Sequence, residues 1–297
     1  MKRTLLVLAV GLALASSGLF ASGAPPATER VVGADWLQAN LDRPEIRIVD
    51  MRGDIRDYWE GHIPGAVFLD SAALRWPDRG VPSKLMPTAA LALLLGEMGV
   101  RKNTQIVVYS EVNHYRATYF MWALDVLGHP NWVLLEGGFE RWKKESRPVT
   151  QDYPALKPVV YSAGRQPDAG VRATLADVRD RNSATTVLLD VRQADIYAGE
   201  KGSWKRKGHI KGAINHFWAL DVDETGAWRP ADELRRAYEA LGVTPDKTVI
   251  VSCGQGQMSS HVYFTLKYVL GFPRVKNYDG SFNEWSAVAS LPVETGK

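Results

Sequence analysis

Hydrophobic positions along this chain fall into short β-branched runs separated by longer stretches with helical spacing. Ile46 to Val49 and Ile106 to Tyr109 in the first half, and Val187 to Leu189 and Thr248 to Ser252 in the second, are apolar runs of strand length. Helical patterns over Ala117 to Leu127 and Ser259 to Leu270 follow the second strand of each half. Strands alternating with helices predict an α/β fold on parallel sheets flanked by helices, with sites at the carboxyl ends of strands. One earlier apolar run, Leu5 to Ala15, differs in kind: Lys2 and Arg3 precede it, and Ser17, Ser22, Gly23 and Ala24 follow. That layout predicts a secretory signal peptide over 1–24, cleaved after Ala15 or near Ala24. The uncharged stretch reaches Thr28, but Gly18, Gly23, Pro25 and Pro26 make its second half a poor transmembrane helix. The expectation is an exported protein, periplasmic in a Gram-negative bacterium, with no stable membrane association once the leader is removed.

The strand-and-helix pattern occurs twice. Val100 to Ser110 matches Val243 to Cys253 at an offset of 143 residues, which holds without a gap through Leu127-Gly128 against Leu270-Gly271 and Trp142 against Trp285. Upstream, Asp50-Met51-Arg52 answers Asp190-Val191-Arg192 at 140, and Gly61 to Ala66 answers Gly208 to Ala213 at 147. The second copy therefore holds seven extra residues, within Gly199 to Lys207. The expected organisation is a first domain over 28–150, a Pro-containing linker over 151–170 and a second domain over 171–297.

Composition narrows the function. The 297 residues are 45% hydrophobic and 23% charged, as in an ordinary globular protein. The net charge of +3, two of these positive charges being in the leader, argues against nucleic-acid binding. The single cysteine, Cys253, excludes an intramolecular disulfide and any cysteine-cluster metal site. It is buried filler, an intermolecular link or a reactive thiol, and an unpaired cysteine is unusual in an exported protein. Cys253 ends a predicted strand and opens the loop Gly254, Gln255, Gly256, Gln257, Met258, before a helix near Ser259. Two glycines allow a tight loop with its amides turned inward, and the helix start adds partial positive charge. Such surroundings lower a thiol pKa and stabilise charge on sulfur, suiting a nucleophilic thiolate or a persulfide.

These residues together resemble the tandem-domain rhodanese family, the thiosulfate and mercaptopyruvate sulfurtransferases. The resemblance rests on Asp-x-Arg, Gly-His-Ile-x-Gly-Ala, the Cys-Gly-x-Gly loop and Tyr278 to Trp285, and covers both copies. It implies two tandem rhodanese-like domains, the second catalytic through Cys253 and the first non-catalytic, in agreement with Ser110 at the matching position. It further implies transfer of a sulfane sulfur from thiosulfate or 3-mercaptopyruvate, through a Cys253 persulfide, to cyanide or a thiol, a protein thiol included. No metal or organic cofactor is implied. Gly254, Gln255, Gly256, Gln257, Met258, Ser259 and Arg192 are the expected substrate-binding set.

The duplication separates scaffold from chemistry. Asp50/Asp190, Arg52/Arg192 and the paired His62/His209 recur in both copies, so their first expectation is a structural one; for Arg192 a role in attracting an anionic donor stands beside it. His114 and His261 have no counterparts, and packing is expected for His261. Trp142 and Trp285 repeat and read as core; for Trp36, Trp59, Trp76, Trp204, Trp218 and Trp228 core packing is the first expectation, with a place in the inter-domain cleft above Cys253 as the alternative for some of them. The loop departs from thiosulfate-type enzymes in lacking cations, and Ile196 stands where a second arginine is expected. Positive charge near the site is therefore sought in Lys201, Lys205, Arg206 and Lys207, against the plainer reading of a solvated loop. Met258 suggests an apolar pocket rim. The alternatives are a sulfur carrier that turns over free donors poorly, a related phosphatase, disfavoured because Ser259 replaces the arginine of a Cys-x5-Arg loop, and an inert buried thiol.

Overall fold

The computed structural model describes residues 30–162 and 169–296, so the expected leader lies outside the described residues. Two five-stranded sheets organise the chain. In the first the order is Val31–Val32, Trp132–Leu135, Gln105–Tyr109, Ile46–Asp50, Ala66–Phe68. The second repeats it as Arg172–Ala173, Val275–Tyr278, Thr248–Ser252, Thr186–Asp190, Ile214–Asn215. Every pairing within both sheets is parallel. Asp50 lies opposite Tyr109 and Asp190 opposite Ser252, so Ser110 and Cys253 leave their sheets at equivalent points. Matching bonds from helices Gly138–Lys144 and Ser281–Ala287 confirm the equivalence: Phe139 N–H donates to Ser110 O, and Phe282 N–H to Cys253 O, each at 3.1 Å.

The strands are apolar on both faces because both faces are covered. Val49, Ile106 and Val108 of one sheet and Leu189, Val249 and Val251 of the other enter a single central core shared by both halves. The alternate positions, Ile48 and Val107 or Leu188 and Ile250, point into two separate outer cores that hold Trp142 and Trp285. Each of these tryptophans donates its indole N–H to a proline carbonyl, Pro148 O at 2.8 Å and Pro292 O at 2.9 Å, as their repetition led us to expect of core residues.

The central core explains the helix after the first Ser110 loop. Tyr115–Leu127 is buried on nearly every side because it is wedged between its own sheet and the opposite half. Its Thr118 Oγ1 lies 3.1 Å from Ser260 Oγ, and its Asp125 Oδ2 accepts from Tyr263 at 2.8 Å and Tyr268 at 2.6 Å. Burial pushes the Asp125 carboxyl up, and the two phenols oppose that. The matching stretch of the second half is not the single helix its pattern predicts. It is α-helical over Ser259–Phe264 and π-helical over Thr265–Val269, where Thr265 Oγ1 accepts the indole N–H of Trp228 at 2.9 Å.

The two Gly-His turns are the scaffold their repetition suggests. His62 stacks on Tyr58 at 3.7 Å and bonds Tyr58 O through Nδ1; His209 does the same with Tyr197, also at 3.7 Å. Residues 148–162 contain no helix and fasten to the first half along their length. Thr150 pairs with His62, Val159 N–H donates to Gly96 O, and the buried Tyr161 hydroxyl meets His129 Nδ1 at 3.0 Å. Among the described residues no helix is long and apolar enough to cross a membrane.

Candidate active site

Cys253 follows the middle strand of the second sheet, 2% exposed, at the floor of a pocket of about 630 Å3. The loop folds back so that Gly256 N–H donates to Cys253 Sγ at 3.1 Å. Gly256 has φ +79°, and a Cβ there would stand 2.4 Å from Asp279 O, so only glycine fits this bend. Asn277, fully buried on the neighbouring strand, holds both ends of the bend: its amide donates to Gly256 O at 2.9 Å, and its carbonyl accepts from Ser259 Oγ at 2.6 Å.

Two hydroxyls face the sulfur, Ser259 Oγ at 3.6 Å and Ser281 Oγ at 4.0 Å. Each has a single proton, already engaged at shorter range: Ser259 on Asn277, and Ser281 on Tyr278 O at 2.7 Å. Both become donors to sulfur only by rotating, which a charge on sulfur favours. Ser281 also accepts the N–H of Cys253 at 3.0 Å. It does so from φ +48°, a left-handed conformation uncommon for a side chain larger than glycine. Sequence reasoning missed Ser281. The available signal was its counterpart, Gly138, which has a positive φ in the copy without cysteine.

Of the predicted set, Arg192, Gly254, Gln255, Gln257 and Met258 line the pocket, whereas Gly256 and Ser259 sit behind the sulfur. Arg192 is 3% exposed. Its Nε and Nη2 hold the Asp190 carboxylate, and Nη2 also donates to Gly208 O at 2.8 Å. Its guanidinium lies 4.3 Å from the Phe282 ring centroid and 5.3 Å from that of Trp204. Nη1 is buried and makes no hydrogen bond. The ion pair with Asp190 uses one edge of the fork and the other edge is shut off from solvent, so Arg192 is foremost structural and places a buried positive charge against the pocket wall.

The first half grips the loop. Arg75 Nη2 donates to Gln255 O at 2.6 Å, and Gln257 Nε2 donates to Ser71 Oγ at 2.8 Å. Beneath them Asp279 Oδ2 accepts from Leu85 N–H and from Arg172 Nη2, each at 2.8 Å. Burial pushes the Asp279 carboxyl up, against the pull of Arg172.

The basic segment corrects an expectation. Arg206 is neither solvated nor turned toward the pocket. It donates to the carbonyls of Trp285, Ser286, Val288 and Leu291 at 2.6–3.1 Å, capping the C-terminal end of helix Ser281–Ala287. Lys201 pairs with Asp195 at 2.8 Å, and Lys205 and Lys207 are exposed. Trp218 is a buried member of the central core, as expected, and also lines the pocket; Trp204 packs against an outer core only partly buried and lines the pocket too, together with Ile196 and Phe217. Trp59 and Trp76 are each 49% exposed, so for these two the core expectation fails. Trp228 is packed as expected, stacked between His114 at 5.4 Å and His261 at 5.3 Å.

The first copy has the corresponding hollow, about 270 Å3, with Arg52, Glu111 and Glu140 where the second has Arg192, Gly254 and Asn283. Glu111 Oε1 accepts from Gly53 N–H at 2.7 Å and Arg116 at 2.9 Å, so a carboxylate of the chain itself fills this side. Among the described residues no group of three His, Cys, Asp or Glu side chains is placed to hold a metal ion.

Comparison with known proteins agrees with this geometry. The Rhodanese-like domain family matches twice, at residues 33–145 and 173–288. The chain is 36% identical over 281 residues to the "Sulfur carrier protein TtuD" of Thermus thermophilus, covering 91% of this chain and 98% of that one. It is also 36% identical over 303 residues to a Synechococcus elongatus protein named "Putative thiosulfate sulfurtransferase", covering 98% and 93%. Among solved structures, the anaerobic ergothioneine biosynthesis enzyme of Chlorobium limicola superposes with a TM-score of 0.80 at 23% identity, over 90% of this chain and 70% of that one, a likeness of fold. Two copies of the family domain, on two sheets of one topology, make this chain a tandem member of the rhodanese family and place it in a sulfurtransferase-like class.

Proposed function

We propose that Cys253 accepts a sulfane sulfur from an anionic donor such as thiosulfate or 3-mercaptopyruvate and passes it, through a persulfide, to a thiol or cyanide. The observation that supports this reading is the seat of Sγ: an amide N–H already on the sulfur, two rotatable hydroxyls facing it, and an open pocket above. In the first displacement the thiolate attacks the outer sulfur of the donor; with thiosulfate, a sulfur–sulfur bond forms on Cys253 and sulfite leaves with the electron pair of the broken bond. Gly256 N–H, Ser259 and Ser281 stabilise charge on the cysteine sulfur, and the Arg192 guanidinium in the pocket wall attracts the anionic end of the substrate through its charge. In the second displacement the acceptor attacks the outer sulfur and the thiolate is regenerated, which gives ping-pong kinetics.

Intact mass tests this directly. After exposure to thiosulfate or mercaptopyruvate the protein gains the mass of one sulfur atom, lost again on adding cyanide or dithiol, and the Cys253→Ser variant gains none. No gain with any donor would overturn the reading. A stable gain with negligible turnover on free acceptors would favour the carrier alternative, whose support is the absence of loop cations around a pocket with one buried guanidinium.

A further inference from the structure

Trp204 stands on the inserted segment that the first copy lacks. It forms one wall of the pocket directly beside the cysteine loop: a Cβ on Gly254 would lie 2.9 Å from its Cζ2. Its ring meets Phe282 edge-on at 5.3 Å and 83°, so its orientation is fixed from behind. The segment itself is pinned at both ends. Before Trp204, Glu200 N–H and Lys201 N–H both donate to Asp195 O, and Lys201 pairs with the Asp195 side chain. After it, Arg206 is held by four carbonyls. A residue so constrained, yet part of an open pocket wall, is built to meet a ligand rather than to fill a core.

The rest of the pocket tells what kind. Ile196, Phe217, Trp218 and Met258 join Trp204, and Arg192 with its unpaired Nη1 is the one cationic side chain of the lining. Thiosulfate has five non-hydrogen atoms; at the roughly 30 Å3 that a water molecule occupies, such an ion fills at most about 150 Å3. The pocket offers about 630 Å3, in the range that encloses ligands of drug size. A small dianion leaves the aromatic walls without contacts.

We infer that Trp204 is a specificity-determining residue, and that it selects sulfur compounds with one anionic head and a flat apolar body, the head at Arg192 and the body against the indole. This rests on the sulfur-transfer reading of Cys253 and narrows its substrate class. An aromatic thiosulfonate represents the class and balances as thiosulfate does: the Cys253 thiolate takes the outer sulfur, the bond between the two donor sulfurs breaks, and an aromatic sulfinate leaves with the electron pair.

The test has a catalytic arm and a binding arm. In the first, kcat/KM is measured for benzenethiosulfonate and thiosulfate in the wild type, Trp204→Ala and Trp204→Phe. The ratio favours the aromatic donor in the wild type, falls by about tenfold in Trp204→Ala, and stays within about threefold of wild type in Trp204→Phe. In the second, benzenesulfinate and sulfite are titrated into Cys253→Ser protein, where no transfer occurs; benzenesulfinate binds tighter, and Trp204→Ala in that background removes the preference. A ratio and a preference indifferent to residue 204, alongside normal persulfide formation, would overturn this inference and leave the function standing. A preference for benzenesulfinate that depends on Trp204, without persulfide from any donor, would support the inference about the pocket and remove the sulfur-transfer reading.

Discussion

The stack of His114, Trp228 and His261 joins the two halves, and it predicts how the protein fails in acid. His114 Nε2 lies 3.0 Å from Gly226 O, so in the neutral ring that nitrogen carries the proton and Nδ1, buried and without a partner, carries none. His261 is fully buried and neither of its ring nitrogens has a hydrogen-bond partner. Burial pushes His114 down to about 3, with the neighbouring His261 adding to it and the Gly226 carbonyl opposing. Burial pushes His261 down to about 4, against the attraction of Asp221 and with the help of His216. Both folded values lie below the roughly 6.5 of an unfolded histidine, so the unfolded chain binds more protons at mildly acidic pH. Stability is therefore full above about pH 6.5 and is lost as pH falls through 6.5 toward the folded values. At about 1.4 kcal/mol per unit, each histidine costs about 2 kcal/mol between pH 7.5 and pH 5.0. The assay is urea unfolding at those two pH values. Replacing His261 by phenylalanine keeps an aromatic ring against Trp228 and removes the titration, so the acid loss shrinks by about 2 kcal/mol whatever the neutral stability of the variant. An acid loss equal to that of the wild type would refute the reasoning.

Two further outcomes follow from the site. Ser281→Ala leaves the buried Cys253 N–H without its acceptor and slows persulfide formation, whereas Ser281→Gly makes the same loss but relieves the left-handed backbone; urea unfolding should find the glycine variant more stable than the alanine one by about 1 kcal/mol. Ser110→Cys in a Cys253→Ser background gains no sulfur by intact mass, and adding Glu111→Gly moves it toward gaining one.

The legible part of this protein was what duplication exposes. Comparing the copies located the strands, set Ser110 against Cys253, marked Trp142 and Trp285 as core and found the inserted segment, because each rests on a residue's type at a matched position. Contacts between the copies were not legible. Nothing in the repeat says that Gln257 reaches Ser71, that Arg75 holds Gln255 O, or that Trp228 slides between two histidines that match nothing. Nor does charge alone reveal use: Arg206 reads as a surface cation among lysines until its four carbonyl partners are seen.

The copy without cysteine shows why one substitution separates the two sites less than it suggests. Ser110 supplies a weaker nucleophile than a thiolate, but the surroundings have diverged with it. Glu111 replaces Gly254 and spends a carboxylate on the amide of Gly53, placing negative charge where a donor anion would approach. Glu140 replaces Asn283, and burial together with the Glu111 charge pushes its carboxyl up. With Asp57 and Glu60 at the same hollow, carboxyl groups outnumber the two cations of the lining, Arg52 and Lys143, so thiosulfate would meet net repulsion. No counterpart of Trp204 exists there, because the insertion is absent. A cysteine at 110 would therefore stand in a site of similar backbone and opposite field. The Glu111→Gly change is the one that opens room and removes a charge together, so the pair of variants separates the contribution of the nucleophile from that of the field around it.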